Sequence, residues 1–369
     1  MKKIERIKFQ VTTLSPIHVG TGKEFSRWDY FINNDKLNCL NYDLFAENFS
    51  ESFSLLNEFV DDIVLNLKNV IQNQNKTNLN SYIKDSKFKE DLQNAINTDC
   101  TRNLSKLFDK DRIRSVKLSA GYPYNYIPGS SIKGAIRTGY LNRVLDNTFF
   151  KPESFNKTIN GTFNANSTIG SKICKKFQKL AVSDSHVISK SQYLVAPMSI
   201  YSDGSKQDSA IEVLNSQSIF SIDISFIDEL INDWRKILEN VNKFYKAVWD
   251  AEKANRMAQY NDQKNKEKQK KMNLHEFYCT TQIPEDSYLL RIGYGSSQLA
   301  TSLMLKYKNI NNNDDSHFKR LYSVYSDDEA KMNRKIYPYS SKSVYITDFN
   351  NPEPLGWVVL KPISKYIYE

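Results

Sequence analysis

The sequence is poor in the residues that most often form cross-links or bind metals. Its 369 residues include only 4 cysteines and 4 histidines, and no two cysteines are spaced as a Cys-x-x-Cys pair. A disulfide framework is therefore not expected in a chain of this length, and a reducing compartment fits better. His275 and Cys279 have a helical i, i+4 spacing but no second ligand pair. We therefore expect no structural zinc site and no cofactor.

Long apolar runs are also missing. No segment approaches the ~20 apolar residues that a membrane-spanning helix requires, and the residues after Met1 are charged and polar rather than a signal segment. These features predict a soluble, cytoplasmic protein. Acidic residues occur as adjacent pairs, and neighbouring side chains on a helix or strand do not point at one ion. A metal-dependent nuclease is thus poorly supported at the three pairs Asp61-Asp62, Asp314-Asp315 and Asp327-Asp328.

Positive charge and aromatic rings, in contrast, are abundant. The chain has 51 Lys and Arg against 42 Asp and Glu, a formal net charge of +9, 22 Tyr and 20 Phe. A basic balance suits an anionic partner such as nucleic acid. Aromatic rings can stack on bases, although we expect most of them in the core. Because 40% of the residues are hydrophobic, two domains with a sizeable core are feasible.

The most informative stretch reads Tyr-Ile-Pro-Gly-Ser-Ser-Ile-Lys-Gly-Ala-Ile-Arg, from residue 126 to 137. It predicts an extended entry, a break at Pro128-Gly129 and a helix that runs to about residue 145. Ser130 is the predicted N-cap, with Ser131 and Lys133 in the first turn and Arg137 one turn later. Free N–H groups at a helix start attract anions, so this pattern suits a phosphate. The alternative is an ordinary capped helix with two solvated basic residues.

The opposite side of that helix has an apolar stripe, which is expected to face the core and consists of Ile132, Ile136, Tyr140 and Val144. The spacing of the stretch is not that of a Walker A loop, because Lys133 precedes Gly134 and no magnesium-binding hydroxyl follows.

Two glycine loops follow predicted strands elsewhere in the chain. The first contains His18, Gly20, Thr21 and Gly22 after a strand at 4–13. Glycine allows the backbone to approach a ligand closely or to take a positive φ. The alternative is a plain connection between strands with His18 partly buried. The second loop, Gly293-Tyr294-Gly295, lies between a strand ending near Arg291 and a helix predicted from 298 to about 306.

Hydrophobic periodicity gives a coarse map of the remaining elements. Helical spacing predicts an insert at 42–108 with an Asn-rich break at 69–81, and a helix at 226–249 that continues towards 271. Alternation and turn residues predict strands and hairpins at 28–32, 36–40, 112–118, 180–184, 194–201, 209–214, 218–225, 288–292, 344–347 and 356–360. Residues 147–171 are rich in Asn, Ser and Thr, which is typical of a linker or loop.

Four segments together resemble a known family. "LSPIHVGTG", "YIPGSSIKGAIRTGYL", "RIGYGSS" and "PLGWVVL" resemble the RAMP superfamily of CRISPR proteins, and within it the subunit-five family of Csm-type, type III-A effector complexes. The segment "IEVLNSQSIFSIDIS" also looks like that family's mid-chain strand pair. The inserts at 42–108 and 226–275 carry no family signal.

The resemblance implies an α+β protein with two ferredoxin-like βαββαβ domains of the RRM/RAMP type. The N-terminal domain would span 1–146 with the helical insert, followed by the linker at 147–171. The C-terminal domain would span 172–369 with the long helix at 226–271.

The resemblance further implies a structural subunit that caps the 3′ end of the CRISPR RNA and supports its maturation in antiviral defence. The implied partners are this RNA, the neighbouring backbone RAMP subunit, the small helical subunit and host nucleases that trim the guide. The family is not regarded as the target-cleaving subunit, so no catalytic residue is expected.

Carried over by position, the RNA-binding residues are His18, Gly20, Thr21, Gly22, Gly129, Ser130, Ser131, Lys133, Arg137, Arg291, Gly293, Tyr294 and Gly295. The late loop is leaner in glycine than that of many relatives.

Two other hypotheses about the function stay open at this point. One is a metal-independent endoribonuclease with His18 as general base, because an imidazole titrates near neutral pH. The other is a pure protein-interaction module that uses the helices at 226–249 and 42–108.

Overall fold

The computed structural model describes residues 3–26, 29–33, 35–40, 96–108, 113, 115–145, 177–199, 209–262, 268–302, 305, 343–347 and 351–368. The strands in these ranges are β1 Ile4–Thr13, β2 Gly20–Ser26, β3 Tyr30–Asn33, β4 Lys36–Leu40, β5 Ile96–Leu104, β6 Ser115–Ser119, β7 Leu180–Val182, β8 Tyr193–Ser199, β9 Ser209–Leu214, β10 Ile219–Ile227, β11 Tyr288–Arg291, β12 Ser343–Val344, β13 Glu353–Pro354 and β14 Trp357–Tyr368. The α-helices are α1 Gly129–Val144, α2 Trp234–Asp262, α3 Lys268–Thr280 and α4 Gln298–Thr301, and short 3₁₀ turns occupy Lys190–Gln192 and Asp228–Ile231.

The first sheet is organised around β1. Its strand order is β11-β14-β1-β10-β7, and every neighbouring pair is antiparallel. Along β1 buried and more exposed side chains alternate, with Ile7, Phe9 and Val11 buried on one face. Successive side chains of a strand point to opposite faces, so this face requires a cover while the other can meet solvent.

Helices α1 and α2 cover the buried face. Ile132 and Ile136 of α1 and Val241 and Tyr245 of α2 belong to the same hydrophobic cluster as Phe9. The apolar stripe of the predicted helix at 226–249 is therefore core, and it offers no free surface for a partner helix. The stripe predicted for α1 holds as far as Tyr140, whereas Val144 at the helix end is exposed.

The second sheet has the strand order β2-β6-β9-β8-β5-β4-β3, with β12 paired to β8 and β13 paired to β12. Its pairs β6/β9 and β5/β8 are parallel, and β8/β9 is antiparallel. Both sheets thus combine strands from before 146 with strands from after 172. The division into domains at 1–146 and 172–369 stays a prediction, and the linker predicted at 147–171 lies outside the described residues.

Most strand predictions from the sequence are confirmed, whereas three helix predictions need correction. Gly20–Gly22, predicted as part of a loop, begin β2, and the strand predicted at 344–347 is a strand only at Ser343–Val344. Within the insert predicted as helical at 42–108, residues 96–104 form β5 between β4 and β8, and 41–95 lie outside the described residues. The helix predicted from 226 begins at Trp234, because the end of β10 still pairs with β1. The helix predicted for 298–306 is helical from Gln298 to Thr301, leaves helical geometry at Ser302 and is helical again at Leu305. In the first two cases tertiary pairing overrides local propensity.

A buried ion pair connects α2 to the first sheet. Arg291, at the end of β11, pairs with Glu252 of α2, and neither side chain is exposed. The Arg291 Nε–H also donates to the Leu355 carbonyl at 2.9 Å, and its guanidinium lies 4.8 Å from the centre of the Trp357 ring. The hydroxyl of Tyr278 donates to the other Glu252 oxygen at 2.5 Å. Arg291 therefore stabilises the core, and its predicted contact with RNA is not available to a side chain this deeply buried.

Substituting Glu252 by Ala should destabilise the protein strongly, because the guanidinium of Arg291 would stay buried without its counter-charge. Breaking a buried pair in this way costs about 3–5 kcal/mol, measured as the free energy of unfolding in urea. The matched control is Glu239→Ala at an exposed position of the same helix, where the expected change stays within about 0.5 kcal/mol. The double variant Glu252→Leu/Arg291→Met should lose less stability than Glu252→Ala alone, and the reverse order would contradict the role of the pair.

Candidate nucleic-acid interface

The start of α1 is closed by another segment of the chain. Pro128 is the N-cap residue, and the Gly129 N–H donates to Asp184 Oδ1 at 2.7 Å. A Cβ on Gly129 would lie 2.3 Å from the carbonyl oxygen of Val182, so only glycine allows the helix to begin this close to β7. The prediction that Ser130 caps the helix is wrong, because the N-cap position is Pro128, two residues earlier, and the side chain of Asp184 accepts from the first N–H of the helix.

The outer face of α1 is polar and basic. Ser130 and Arg137 are exposed, and Ser131 and Lys133 are half-buried on the outer side of the helix. Within the described part of the chain, neither Lys133 nor Arg137 forms an ion pair with a carboxylate. These four side chains therefore leave hydroxyl and cationic groups available to an anion along about two turns of helix.

The two glycine loops meet. The N–H of Tyr294 donates to the His18 carbonyl at 2.7 Å. Gly293 has φ +81°, and a Cβ there would lie 2.3 Å from the same carbonyl oxygen, which only glycine accommodates. The rings of His18 and Tyr294 pack edge to face with centroids 5.8 Å apart. A backbone hydrogen bond and a close backbone contact thus join two segments that are about 275 residues apart in the chain.

The same junction includes the chain's closing motif. The Gly356 N–H donates to the Pro16 carbonyl at 2.9 Å, and the Trp357 N–H donates to Ser15 Oγ at 3.0 Å. On the other side of the loop, the Ala120 N–H donates to the Val19 carbonyl at 2.7 Å, just before the turn that leads into α1. Three of the four motifs are therefore joined directly, and the bond from Ala120 links the His18 loop to the turn that precedes the α1 motif.

A network of buried charged side chains lies next to this junction and is hydrogen-bonded to it. Glu212 of β9 pairs with Arg102 of β5, and both side chains are buried. The second Glu212 oxygen accepts the Ser119 N–H at 2.8 Å, while the Glu212 carbonyl accepts from Ser119 Oγ at 2.9 Å. Arg102 also donates to the Pro123 carbonyl at 2.8 Å and to Asn125 Oδ1 at 2.9 Å. The sequence analysis selected neither charged residue. A lone Glu between Ile211 and Val213 in an apolar strand is nevertheless a recognisable sign of a buried charge.

His18 is part of this network rather than of a solvent-accessible site. Its ring is 2% exposed, and Nδ1 lies 2.7 Å from the Glu212 carbonyl oxygen. A carbonyl only accepts, so Nδ1 carries the hydrogen and Nε2 is the free nitrogen, directed at Gly20. A Cβ on Gly20 would lie 2.7 Å from this nitrogen, so Gly20 packs closely against a ring that has almost no contact with solvent. The geometry therefore gives no support to His18 as a general base or as an RNA contact.

Other predicted residues remain at the surface. Gly20, Thr21 and Gly22 are exposed at the start of β2, and Gly293, Tyr294 and Gly295 are half-buried. Lys117 of β6, which the sequence analysis did not select, lies 5.9 Å from the centre of the Tyr294 ring and forms an ion pair with Glu24. The hydrogen bond from Lys117 holds the pKa of the Glu24 carboxyl below its ordinary value. The predicted site thus divides into a loop group around Tyr294 and a helix group on α1.

Among the described residues, no group of three or more His, Cys, Asp or Glu side chains is arranged to hold a metal ion. None of the described helices is long and apolar enough to cross a membrane.

Comparisons with known proteins agree on one family. A family model described as "RAMP superfamily" matches residues 10–325. A protein named "CRISPR system Cms protein Csm5", from Methanocaldococcus jannaschii, is 24% identical over 387 aligned residues, which cover 94% of this chain and 86% of that protein.

Two solved structures have a similar fold. A chain in the cryo-EM structure of a Csm–crRNA–target RNA ternary complex, from a type III-A CRISPR-Cas system, matches with a TM-score of 0.67 and 17% identity, covering 96% of this chain and all of that one. The crystal structure of T. onnurineus Csm5 matches with a TM-score of 0.51 and 16% identity, covering 95% and 99%.

The buried His18 should make the stability of the protein depend on pH. Desolvation lowers the pKa of the ring below its ordinary value of 6.5, although the hydrogen bond to the Glu212 carbonyl acts in the opposite direction. The unfolded chain then binds the additional proton, so the stability due to the neutral ring is present above pH 6.5 and is lost as the pH falls through the window below it. Urea unfolding at pH 7.5 and pH 5.5 measures the loss.

His18→Asn keeps a donor for the Glu212 carbonyl but cannot be protonated, so its loss of stability between the two pH values should be smaller than that of the wild type. His186→Asn, at an exposed position, is the matched control. Equal pH dependence of wild type and His18→Asn would mean that His18 does not titrate in this way.

Proposed function

This chain belongs to the RAMP superfamily, and we propose that it is a CRISPR RNA-binding structural subunit of a type III-A Csm effector complex. The observation that carries this proposal is the likeness to Csm5 proteins, which extends over 94% of this chain in sequence and 95% in fold. The guide RNA, the neighbouring backbone subunit and the small helical subunit are the partners in this proposal.

The outer face of α1 is the proposed contact with the RNA backbone. Lys133 and Arg137 supply two cationic groups, and the hydroxyls of Ser130 and Ser131 lie beside them. Contacts of this kind position a strand without reading its bases, which suits a subunit that must accept any guide. Because the Asp184 carboxylate already occupies the first N–H of the helix, the side chains of α1 rather than its N-terminus provide the attraction.

The exposed backbone at 20–22 and the half-exposed loop at 293–295 extend the proposed RNA path. The two loops are held together through His18, so an RNA strand would meet them as one surface. Lys117 lies beside Tyr294 and adds a cation at this end. His18 and Arg291 act in this proposal as supports beneath the surface.

The architecture is consistent with a ferredoxin-like unit in the first sheet. The order β14-β1-β10-β7 is that of a βαββαβ fold, with α1 after β1, α2 after β10 and β14 as the closing strand. In this interpretation β11 is an additional edge strand. The presence of a second unit of the same kind, built on the second sheet, remains part of the proposal.

The predicted alternative, a metal-independent endoribonuclease, has no observation in its favour. Its base would be His18, which is buried and hydrogen-bonded to a backbone carbonyl. The proposed role in maturation is to support trimming of the guide's 3′ end by recruiting host nucleases.

Replacing Lys133 and Arg137 by Ala should weaken the binding of labelled single-stranded RNA, measured by fluorescence anisotropy over a salt series. The loss should be similar for different RNA sequences, because phosphates carry no sequence information. The salt slope should become shallower by roughly 0.7 for each lost phosphate contact. The matched control is Lys243→Ala/Lys246→Ala, which removes the same charge from exposed positions on α2. Equal effects of the two double variants would assign binding to general charge and not to α1.

The 3′-capping role is tested in the reconstituted complex. With wild-type protein, the guide's 3′ end should resist an added 3′-to-5′ exonuclease, and with Lys133→Ala/Arg137→Ala the guide should be shortened faster. Complexes of equal composition, verified by native gel electrophoresis, are required for the comparison. If the guide is equally resistant when this subunit is left out, the capping role is wrong.

A further inference from the structure

The face of the first sheet that points away from α1 and α2 is open to solvent. Residues directly opposite each other in an antiparallel ladder share a face. The register places Arg6 opposite Tyr366, Lys8 opposite Ser364, and Gln10 opposite Lys361. All of these side chains are exposed or half-exposed, and so are their β10 neighbours Ser225, Asp223 and Ser221.

Two tyrosines on this face are unusually exposed for residues in a sheet. Tyr366 and Tyr368 are 50% and 48% exposed, and they lie two residues apart on β14, so their rings point the same way. The guanidinium of Arg6 lies 5.3 Å from the centre of the Tyr368 ring. An aromatic ring beside an arginine is a surface on which an unpaired base can stack. The hydrophobic cluster of this sheet lies on its other face, so the rings of Tyr366 and Tyr368 are not part of the core packing.

The charge on the same face favours a polyanion. Arg6, Lys8 and Lys361 are cationic, and Asp223 is the acidic residue among their ladder neighbours. Lys365, in contrast, points to the other face and forms an ion pair with Glu5 at 2.8 Å. No ion pair to Arg6, Lys8 or Lys361 occurs within the described ranges.

The open face is continuous with the start of α1. The Ser183 N–H after β7 donates to the Asp223 carbonyl at 2.9 Å, and the next residue, Asp184, accepts from Gly129 at the first turn of α1. The β7 edge of the open face is therefore linked through two adjacent residues to the first turn of α1.

We propose that this open face, formed by Arg6, Lys8, Lys361, Tyr366 and Tyr368, is a second single-stranded RNA-binding surface. Tyr366 and Tyr368 stack on unpaired bases, and the three cationic side chains contact the phosphates between them. The surface is separate from the α1 contacts of the proposed function and rests on different residues. Since stacking needs exposed bases, it binds single strands in preference to duplexes.

The test is the affinity of the full-length protein for labelled single-stranded RNA when both tyrosines are replaced by Ala. Each lost stacking contact should weaken binding roughly 5-fold to 100-fold. Tyr366→Phe/Tyr368→Phe keeps the rings and should bind like the wild type. Ile363→Ala/Ile367→Ala is the matched control, because both residues are 51% exposed on the same strand and Ile367 points to the other face. A duplex RNA of the same length should show little dependence on the tyrosines.

Photo-crosslinking with 4-thiouridine RNA provides a second readout, with crosslinks expected in the peptide that contains 361–368. The proposal is overturned if the Ala variant binds as the wild type does, if the isoleucine control weakens binding equally, or if the wild type binds no RNA. Normal RNA binding with impaired assembly would assign the face to a protein partner and would also overturn it. Loss of binding in the tyrosine variant but not in Lys133→Ala/Arg137→Ala would contradict the α1 site and leave this surface standing.

Discussion

The buried pair of Arg102 and Glu212 is the constraint on which the junction of motifs depends. Two charges removed from water are tolerated only when their remaining hydrogen-bonding groups are satisfied. Here Glu212 binds Ser119 and His18 in addition to Arg102, while Arg102 reaches the backbone before α1. One buried glutamate, through its carboxylate and its backbone carbonyl, thereby sets the relative positions of β5, β6, β9 and the His18 loop.

This arrangement explains why polar motifs in this chain are largely structural. A histidine in a glycine loop is typical of a catalytic or binding site, yet His18 uses its ring and its carbonyl to join two loops. Arg291 follows the same principle, because Glu252 neutralises it inside the core. The groups that this network does not use are the outer face of α1, the backbone at 20–22 and the side chains around Tyr294, and these are the proposed RNA contacts.

Much of the fold was predictable because apolar and polar residues alternate clearly along its strands. β1, β9 and β11 begin at the residues where the sequence placed them, and the apolar stripe of α2 is core as predicted. β5 was not predictable in the same way, because it contains Asn, Asp and a charged Arg whose burial makes sense only beside Glu212. The cap of α1 was missed for a related reason, since Asp184 is about 55 residues away in the chain.

The sequence by itself determined the composition of the elements, the family resemblance and the basic, phosphate-suited face of α1. These features depend on local spacing and on motifs that are contiguous in the chain. Only the tertiary structure decided which polar side chains are buried and which are available, because burial depends on partners distant in sequence. It also decided that Tyr366 and Tyr368 share an open face with Arg6, a neighbourhood created by pairing the two ends of the chain in one sheet.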